Sequence, residues 1–195
     1  MYFKTFFVIK SFYFYRTFKE KKMADYSHLK SKIRHIQDFP IKGINFKDIT
    51  PLLEDPGTFK EAIDGLADAF REQKIDKVVG IDARGFLLAS AVAYLLNAGM
   101  VIIRKKGKLP YETIVREHDL EYGRGTLEIH KDAIKTGERI LIIDDVLATG
   151  GTVEAAAKLV EELGGVIVGM GLLLELPLGG RERLSEYNVA SLIKY

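Results

Sequence analysis

The chain has 195 residues, of which 47% are hydrophobic and 29% charged, the composition of a soluble globular protein long enough to bury one substantial core. It has no cysteine, which excludes a disulfide framework and thiol catalysis, and its four histidines, His28, His35, His118 and His130, show no metal-ligand spacing. The formal charge of +2 is uneven: residues 1–22 carry +5 and the remainder −3, so the body gives no support for nonspecific nucleic-acid binding.

The first segment, MYFKTFFVIKSFYFYRTFKEKK, holds nine of the twenty Phe and Tyr residues. Basic residues interrupt its apolar positions, so neither a signal-peptide core nor a membrane-spanning run forms. Met23 then opens MADYSHLKSKI in the manner of a conventional start. Residues 1–22 read as an extension outside the core, and 23–195 as a single domain; an interfacial membrane anchor is the second reading of the extension. Removing residues 1–22 is expected to leave turnover and thermal stability unchanged. A large loss of soluble, active protein on truncation would favour the membrane or structural role.

From Tyr26 to His35 the pattern reads as a short helix, and DFPIKGINFKDITP (38–51) as a loop. Asp55 and Pro56 form an N-cap and N1 pair that opens a helix to about Glu72. KVVGID (77–82) is a strand, Phe86 to Leu96 a helix and MVIIRK (100–105) the next strand. A polar, glycine-bearing region follows from Gly107 to about Arg124, with two antiparallel strands nearby. Ile140 to Ile143 is a short, β-branched, continuous apolar run, which suits a strand buried on both faces. Val153, Ala156, Ala157, Val160 and Leu163 then recur at helical spacing, and Gly164 and Gly165 stop that helix. Further strands are expected at Val166 to Glu175 and near Ala190 to Ile193. Strands alternating with helices imply right-handed crossovers and a mainly parallel sheet, whose ligands sit at the carboxyl ends of strands.

Two stretches occupy such ends. In ILIIDDVLATGGT (140–152), Asp144 and Asp145 follow the apolar run, and Thr149, Gly150, Gly151 and Thr152 lie where the helix begins. A helix N-terminus presents unpaired N–H groups and the positive end of the helix dipole, and glycines admit close approach, so this loop suits a phosphate. Carboxylates repel phosphate but accept hydrogen bonds from hydroxyls. The ordered set therefore fits a sugar phosphate, diol at the acids and phosphate at the glycines. It lacks the Lys of a P-loop and the glycine spacing of a dinucleotide fingerprint. In GIDARGF (80–86), Arg84 stands at the second strand end, and Arg suits a pyrophosphate. RKKGKLPYETI (104–114) adds Arg104, Lys105, Lys106 and Lys108, of which Arg104 and Lys108 are the preferred anion ligands.

IIDDVLATGGT resembles the phosphoribosyl pyrophosphate (PRPP) signature of the type I phosphoribosyltransferases. The resemblance implies an α/β fold with a mainly parallel central sheet flanked by helices and a small hood with a flexible loop. It implies that Asp144 and Asp145 hold the ribose hydroxyls, that Ala148, Thr149, Gly150, Gly151 and Thr152 hold the 5′-phosphate, and that Arg84 meets the pyrophosphate. FPIKGINFKDITPLL (39–53) resembles the adenine-pocket segment of the adenine phosphoribosyltransferases. This implies Phe46 for stacking, the backbones of Asn45 and Lys47 for the polar edge of the base, and Val146, where the family often has Leu, for its opposite face. GKLP (107–110) and LEYGRGTLEIHKDAI (120–134) match the same subfamily as the two ends of its hood. Glu121, a candidate for proton exchange at the purine, and Tyr122 carry over as active-site residues.

The resemblance thus implies conversion of adenine and PRPP to AMP and pyrophosphate, with Mg²⁺ bound along with the phosphates. It also implies a cytoplasmic homodimer whose partners are these small molecules rather than nucleic acid or membrane. The close alternative is the same chemistry on xanthine or hypoxanthine. The alternative from another class is a PRPP-sensing regulator, which needs a DNA-binding domain. Only 15 residues stand between Met23 and the adenine segment, too few to supply one.

Overall fold

The computed structural model describes residues 24–120 and 123–195. A 3-10 helix at Ser27–Lys32 leads into strand β1 (Arg34–Gln37), which pairs antiparallel with β2 (Asn45–Asp48). Helices α1 (Thr50–Glu54) and α2 (Pro56–Asp68) follow. Then come β3 (Lys77–Ile81), α3 (Gly85–Leu95), β4 (Gly99–Lys105), β5 (Thr113–Leu120) and β6 (Gly123–His130). The chain closes with β7 (Arg139–Leu147), α4 (Gly151–Glu162), β8 (Val166–Glu175), a short α5 (Gly180–Arg183) and β9 (Val189–Lys194).

Seven strands form one sheet in the order β5-β6-β4-β3-β7-β8-β9. The five from β4 to β9 run parallel, and the β5–β6 hairpin adds to β4 antiparallel. The mainly parallel sheet expected from the sequence is thus present, with the antiparallel pair at one edge.

The continuous apolar runs are buried on both faces. In β7, Leu141 and Ile143 join the core that includes Leu66 and Phe70 of the α2 region and Leu88 of α3. Ile140 and Ile142 join the opposite core, with Leu159 and Val160 of α4. This is the period-two alternation of a strand between two helical layers. The cap expected at Asp55 forms: its Oδ1 accepts from the Thr58 N–H at 2.9 Å. That bond and the Lys32 ammonium hold the Asp55 carboxyl down at about 2.

Three local expectations are corrected. The segment Tyr26–His35 is not one helix: its 3-10 turns stop at the extended Ile33, and His35 pairs with Lys47 across β1 and β2. The 38–51 loop contains β2 and the start of α1. Both strands owe their existence to each other, a pairing that four-residue windows do not announce. Helix α2 ends at Asp68 rather than Glu72, because the chain tightens (Phe70 N–H to Ala67 O, 3.0 Å) and turns Phe70 into the core.

Candidate active site

The carboxyl ends of β3 and β7, the adjoining ends of β4 and β6 and the β2 segment surround one cavity of about 980 Å³. Its wall includes Asn45, Phe46 and Lys47 from β2, Asp82, Ala83 and Arg84 after β3, and Asp144, Asp145 and Val146 from β7. Ala148 and Thr152 carry the wall on to α4. Residues as far apart in sequence as Gly43 and Leu178 are thereby brought to one site, as the strand-end rule for parallel sheets requires.

Strand β7 is longer than the apolar run predicts. It continues through the acids to Leu147 because β8 offers partners that far, with Asp144 opposite Leu172 and Val146 opposite Leu174. The acids therefore lie within the strand rather than beyond it. Both are buried, at 7% and 6% exposure, so neither can be read as a solvent-facing turn residue. Asp144 Oδ1 accepts from the Asp145 N–H at 2.9 Å. Asp145 Oδ2 lies 2.7 Å from Arg84 Nε, close enough for an ion pair but not aligned as a hydrogen bond. That buried oxygen has no hydrogen-bond partner among the described residues. It is an acceptor at the wall of the cavity.

Burial, and then the charge of Asp145, push the Asp144 carboxyl well above the ordinary carboxylate range. Burial also raises Asp145, and the Arg84 guanidinium opposes that rise. An acid raised in the folded state holds its proton more tightly there than in the unfolded chain. It therefore costs stability progressively as pH climbs from the ordinary value of 3.8 through the folded-state value. Asp144→Asn is expected to unfold at a higher temperature than the parent at pH 7. The advantage should vanish below pH 3.8, where both forms are neutral. Thermal scans across pH check this; an equal or lower Tm for the variant at pH 7 would refute it.

Loop 148–152 is shaped as its glycines suggest. Gly150 caps α4 with φ +81°, a left-handed conformation that side chains resist, and a Cβ there would stand 3.1 Å from the Gly180 backbone. The first N–H groups of α4 face outward without intrahelical acceptors, which makes this the positive pole of a twelve-residue helix. Ala148 and Thr152 reach the cavity, and Thr149, Gly150 and Gly151 form the turn between them.

Phe46 faces the same cavity. Phe39 meets its ring edge-on at 5.3 Å between centroids, and Arg84 Cζ lies 4.9 Å from its centroid. Arg84 therefore spans from the acid pair to the aromatic. Lys47 Nζ is 3.3 Å from His35 Nδ1 and sits over the Tyr195 ring at 4.9 Å, while its backbone stays in β2.

Among the four basic residues of 104–108, the structure separates two pairs. Lys105 and Lys106 line the cavity. Arg104 points to Asp82 (3.3 Å) and donates to the Lys108 carbonyl (3.2 Å), and Lys108 is tied through its backbone to Glu128. Leu176 and Leu178 also line the cavity and were missed in the sequence. The signal was available: they follow the carboxyl end of β8, as Asp82 follows that of β3. Glu121 and Tyr122, and the whole of residues 1–22, lie outside the described residues.

Residues 49–192 match the model of the phosphoribosyl transferase domain. The adenine phosphoribosyltransferase of Alkaliphilus metalliredigens is 57% identical over 169 residues, 86% of this chain and 99% of that protein. The chain belongs to the adenine phosphoribosyltransferase family. The crystal structure of the adenine phosphoribosyltransferase from Thermoanaerobacter pseudethanolicus superposes with a TM-score of 0.83 at 51% identity, covering 86% of this chain and 98% of that one. That from Saccharomyces cerevisiae, complexed with D-2,5-dideoxy-2,5-imino-altritol 1,6-bisphosphate and adenine, gives 0.79 at 40% identity over 85% and 97%. Among adenine phosphoribosyltransferases the type I fold is thus shared by this chain, including the sheet that carries the cavity.

Proposed function

We propose that the chain transfers the 5-phosphoribosyl group of PRPP to adenine, giving AMP and pyrophosphate in purine salvage. One observation carries the residue assignment: a buried acid pair, with an acceptor oxygen free of hydrogen bonds, shares a cavity with an anion-binding helix start and an aromatic ring. A ribose phosphate bridges the first two features and a base stacks on the third.

In this reading Asp144 and Asp145 accept the ribose hydroxyls, and the N–H groups and hydroxyls of Ala148 to Thr152 receive the 5′-phosphate. Asn45 and Lys47 present backbone groups to the edge of adenine between Phe46 and Val146. Breaking the bond from the sugar C1 to the pyrophosphate oxygen builds positive charge on the sugar, as in other glycosyl transfers. The two carboxylates stabilise it by proximity, and Arg84, Lys105 and Lys106 stabilise the departing pyrophosphate. Arg104 and Lys108 fix the loop that carries the two lysines. Glu121 and Tyr122 complete the hood side, with Glu121 assisting proton exchange at the purine.

Mg²⁺ would be held chiefly by the phosphates of the substrate, with Asp144 and Asp145 the acids of the cavity wall that would meet it. Among the described residues no cluster of three acids or histidines exists to cage such an ion, whereas the acid pair suits a hard cation already held by substrate oxygens and water. The ion supplies charge neutralisation at the pyrophosphate.

The functional unit is a homodimer in the cytoplasm. Leu87 and Tyr94 stand exposed on α3, and Met100 and Ile102 on β4, an apolar face suited to a second copy. Among the described residues no helix is long and apolar enough to cross a membrane. Sedimentation at micromolar concentration is expected to give twice the chain mass; a monomer would refute the dimer.

The experiment for the activity is purified protein with PRPP, Mg²⁺ and a panel of purines. Adenine should be consumed, with AMP and pyrophosphate appearing in equal amounts. Preference for hypoxanthine or xanthine would move the assignment to another base.

A further inference from the structure

Glu128 is a buried carboxylate with no place in the reaction just described. It lies in the middle of β6, opposite Arg104 of β4 and Val115 of β5, and is only 4% exposed. A lone charge there would be costly to bury. It is met by the chain itself. Glu128 Oε1 accepts from the backbone N–H groups of Lys108 and Leu109, both at 2.7 Å. The Gly107 N–H and the Thr113 hydroxyl also act on it, and together these donors hold its carboxyl below the usual range in spite of burial.

Successive N–H groups turned inward at a left-handed residue are the arrangement that elsewhere binds phosphate. Gly107, at φ +84°, provides the left-handed residue here, and the anion is an internal side chain. The opposite side of the same turn is held by Arg104, which donates to the Lys108 carbonyl and reaches Asp82 in the β3–α3 loop. The turn is thus gripped through both its N–H and C=O groups. Lys105 and Lys106, immediately before it, are two of the cations on the cavity wall, and the Lys106 N–H is itself bonded to the Thr126 carbonyl.

We infer that Glu128 is a positioning residue: its carboxylate fills the backbone anion nest of Gly107–Leu109 and so aims the Lys105–Lys106 pair at the pyrophosphate of the bound sugar. The inference rests on the reading of the cavity as a PRPP site. Four donors converge on one acceptor group, so its loss leaves several polar groups unpaired at once. The consequence falls on the anion and not on the base, because the adenine segment 45–47 belongs to the separate β1–β2 sheet.

The test is steady-state kinetics of Glu128→Ala and Glu128→Gln with each substrate varied at saturating levels of the other. Glu128→Ala should raise the KM for PRPP by roughly ten- to a hundredfold while the KM for adenine stays within about twofold. Glu128→Gln, which keeps an acceptor oxygen of the same reach, should restore most of the loss. Added formate, a carboxylate small enough to enter the vacated space, should improve Glu128→Ala and leave the parent unaffected. An unchanged KM for PRPP, or parallel loss for both substrates without rescue by formate or Gln, would overturn the inference. If the Ala variant does not fold, the Gln variant decides by the same PRPP-to-adenine contrast, a smaller rise confined to PRPP being the expected result. Amide hydrogen exchange at residues 107–109 needs no activity: faster exchange in the variants supports the nest, and parental rates refute it. A failure of the parent to use PRPP would instead remove the assigned function, so the two failures are distinguishable.

Discussion

Asp145→Asn should lower kcat by about 10²–10³-fold, the cost typical of removing one preorganised electrostatic contact to a transition state. The side chain is buried beside the turn proposed for the phosphate, so its charge acts through little water. Asn keeps the shape and one acceptor but not the charge that opposes the developing cation on the sugar. The fold should survive, because burial already disfavours the ionised form of Asp145 and the variant removes that cost. Arg84 loses its ion-pair partner, and as the candidate pyrophosphate ligand it can then hold PRPP at least as well as before. The signature is therefore a fall in kcat with a KM for PRPP that is level or lower. Turnover at saturating substrate, with a thermal scan to confirm folding, measures it. Near-parental kcat would show that the charge at Asp145 is not catalytic.

The second large effect is expected at Phe46. Stacking on an aromatic is worth about 1–3 kcal/mol per base, so Phe46→Ala should raise the adenine Kd or KM by roughly ten- to a hundredfold. The ring lies on the cavity wall and is only half-buried, with Phe39 against it edge-on, so a face remains for a base. The proposed PRPP ligands follow β3, lie in β7 and stand at the start of α4, whereas Phe46 belongs to the two-stranded β1–β2 sheet. PRPP affinity should change far less, although Arg84 loses its contact with the ring. Isothermal titration of each ligand decides the matter. Loss of PRPP with adenine affinity intact would remove Phe46 from the base site.

Much of the fold was legible because its signals are local and periodic. The four apolar residues 140–143 are fully buried between two helical layers, and the α4 residues Val153, Ala156, Ala157 and Val160 recur at helical spacing and are buried as that spacing requires. The expected Asp55 cap forms, its carboxylate accepting from the N–H three residues on. Where the sequence misled, the deciding contact was remote. Strand β1 exists because β2 lies beside it, and β7 runs past its acids because β8 continues to Glu175.

The same division holds at the site. Residue types and their order determined by themselves that an acid pair precedes a glycine-rich helix start, the place proposed for the phosphate, since a strand end, glycines and a helix start are neighbours in the chain. Only the tertiary structure decided which cations face the cavity. Four basic residues within five positions are equivalent in composition, and strand alternation and turn geometry separate them. Arg104 is drawn to Asp82, Lys108 is held through its backbone by Glu128, and Lys105 and Lys106 are left on the wall. Both carboxylates come from elsewhere in the sequence, 22 residues before Arg104 and 20 after Lys108, brought within bonding distance by the pairing of β6 with β4 and β4 with β3. A hydrogen bond between segments that meet only when the sheet forms leaves no periodic trace in either one.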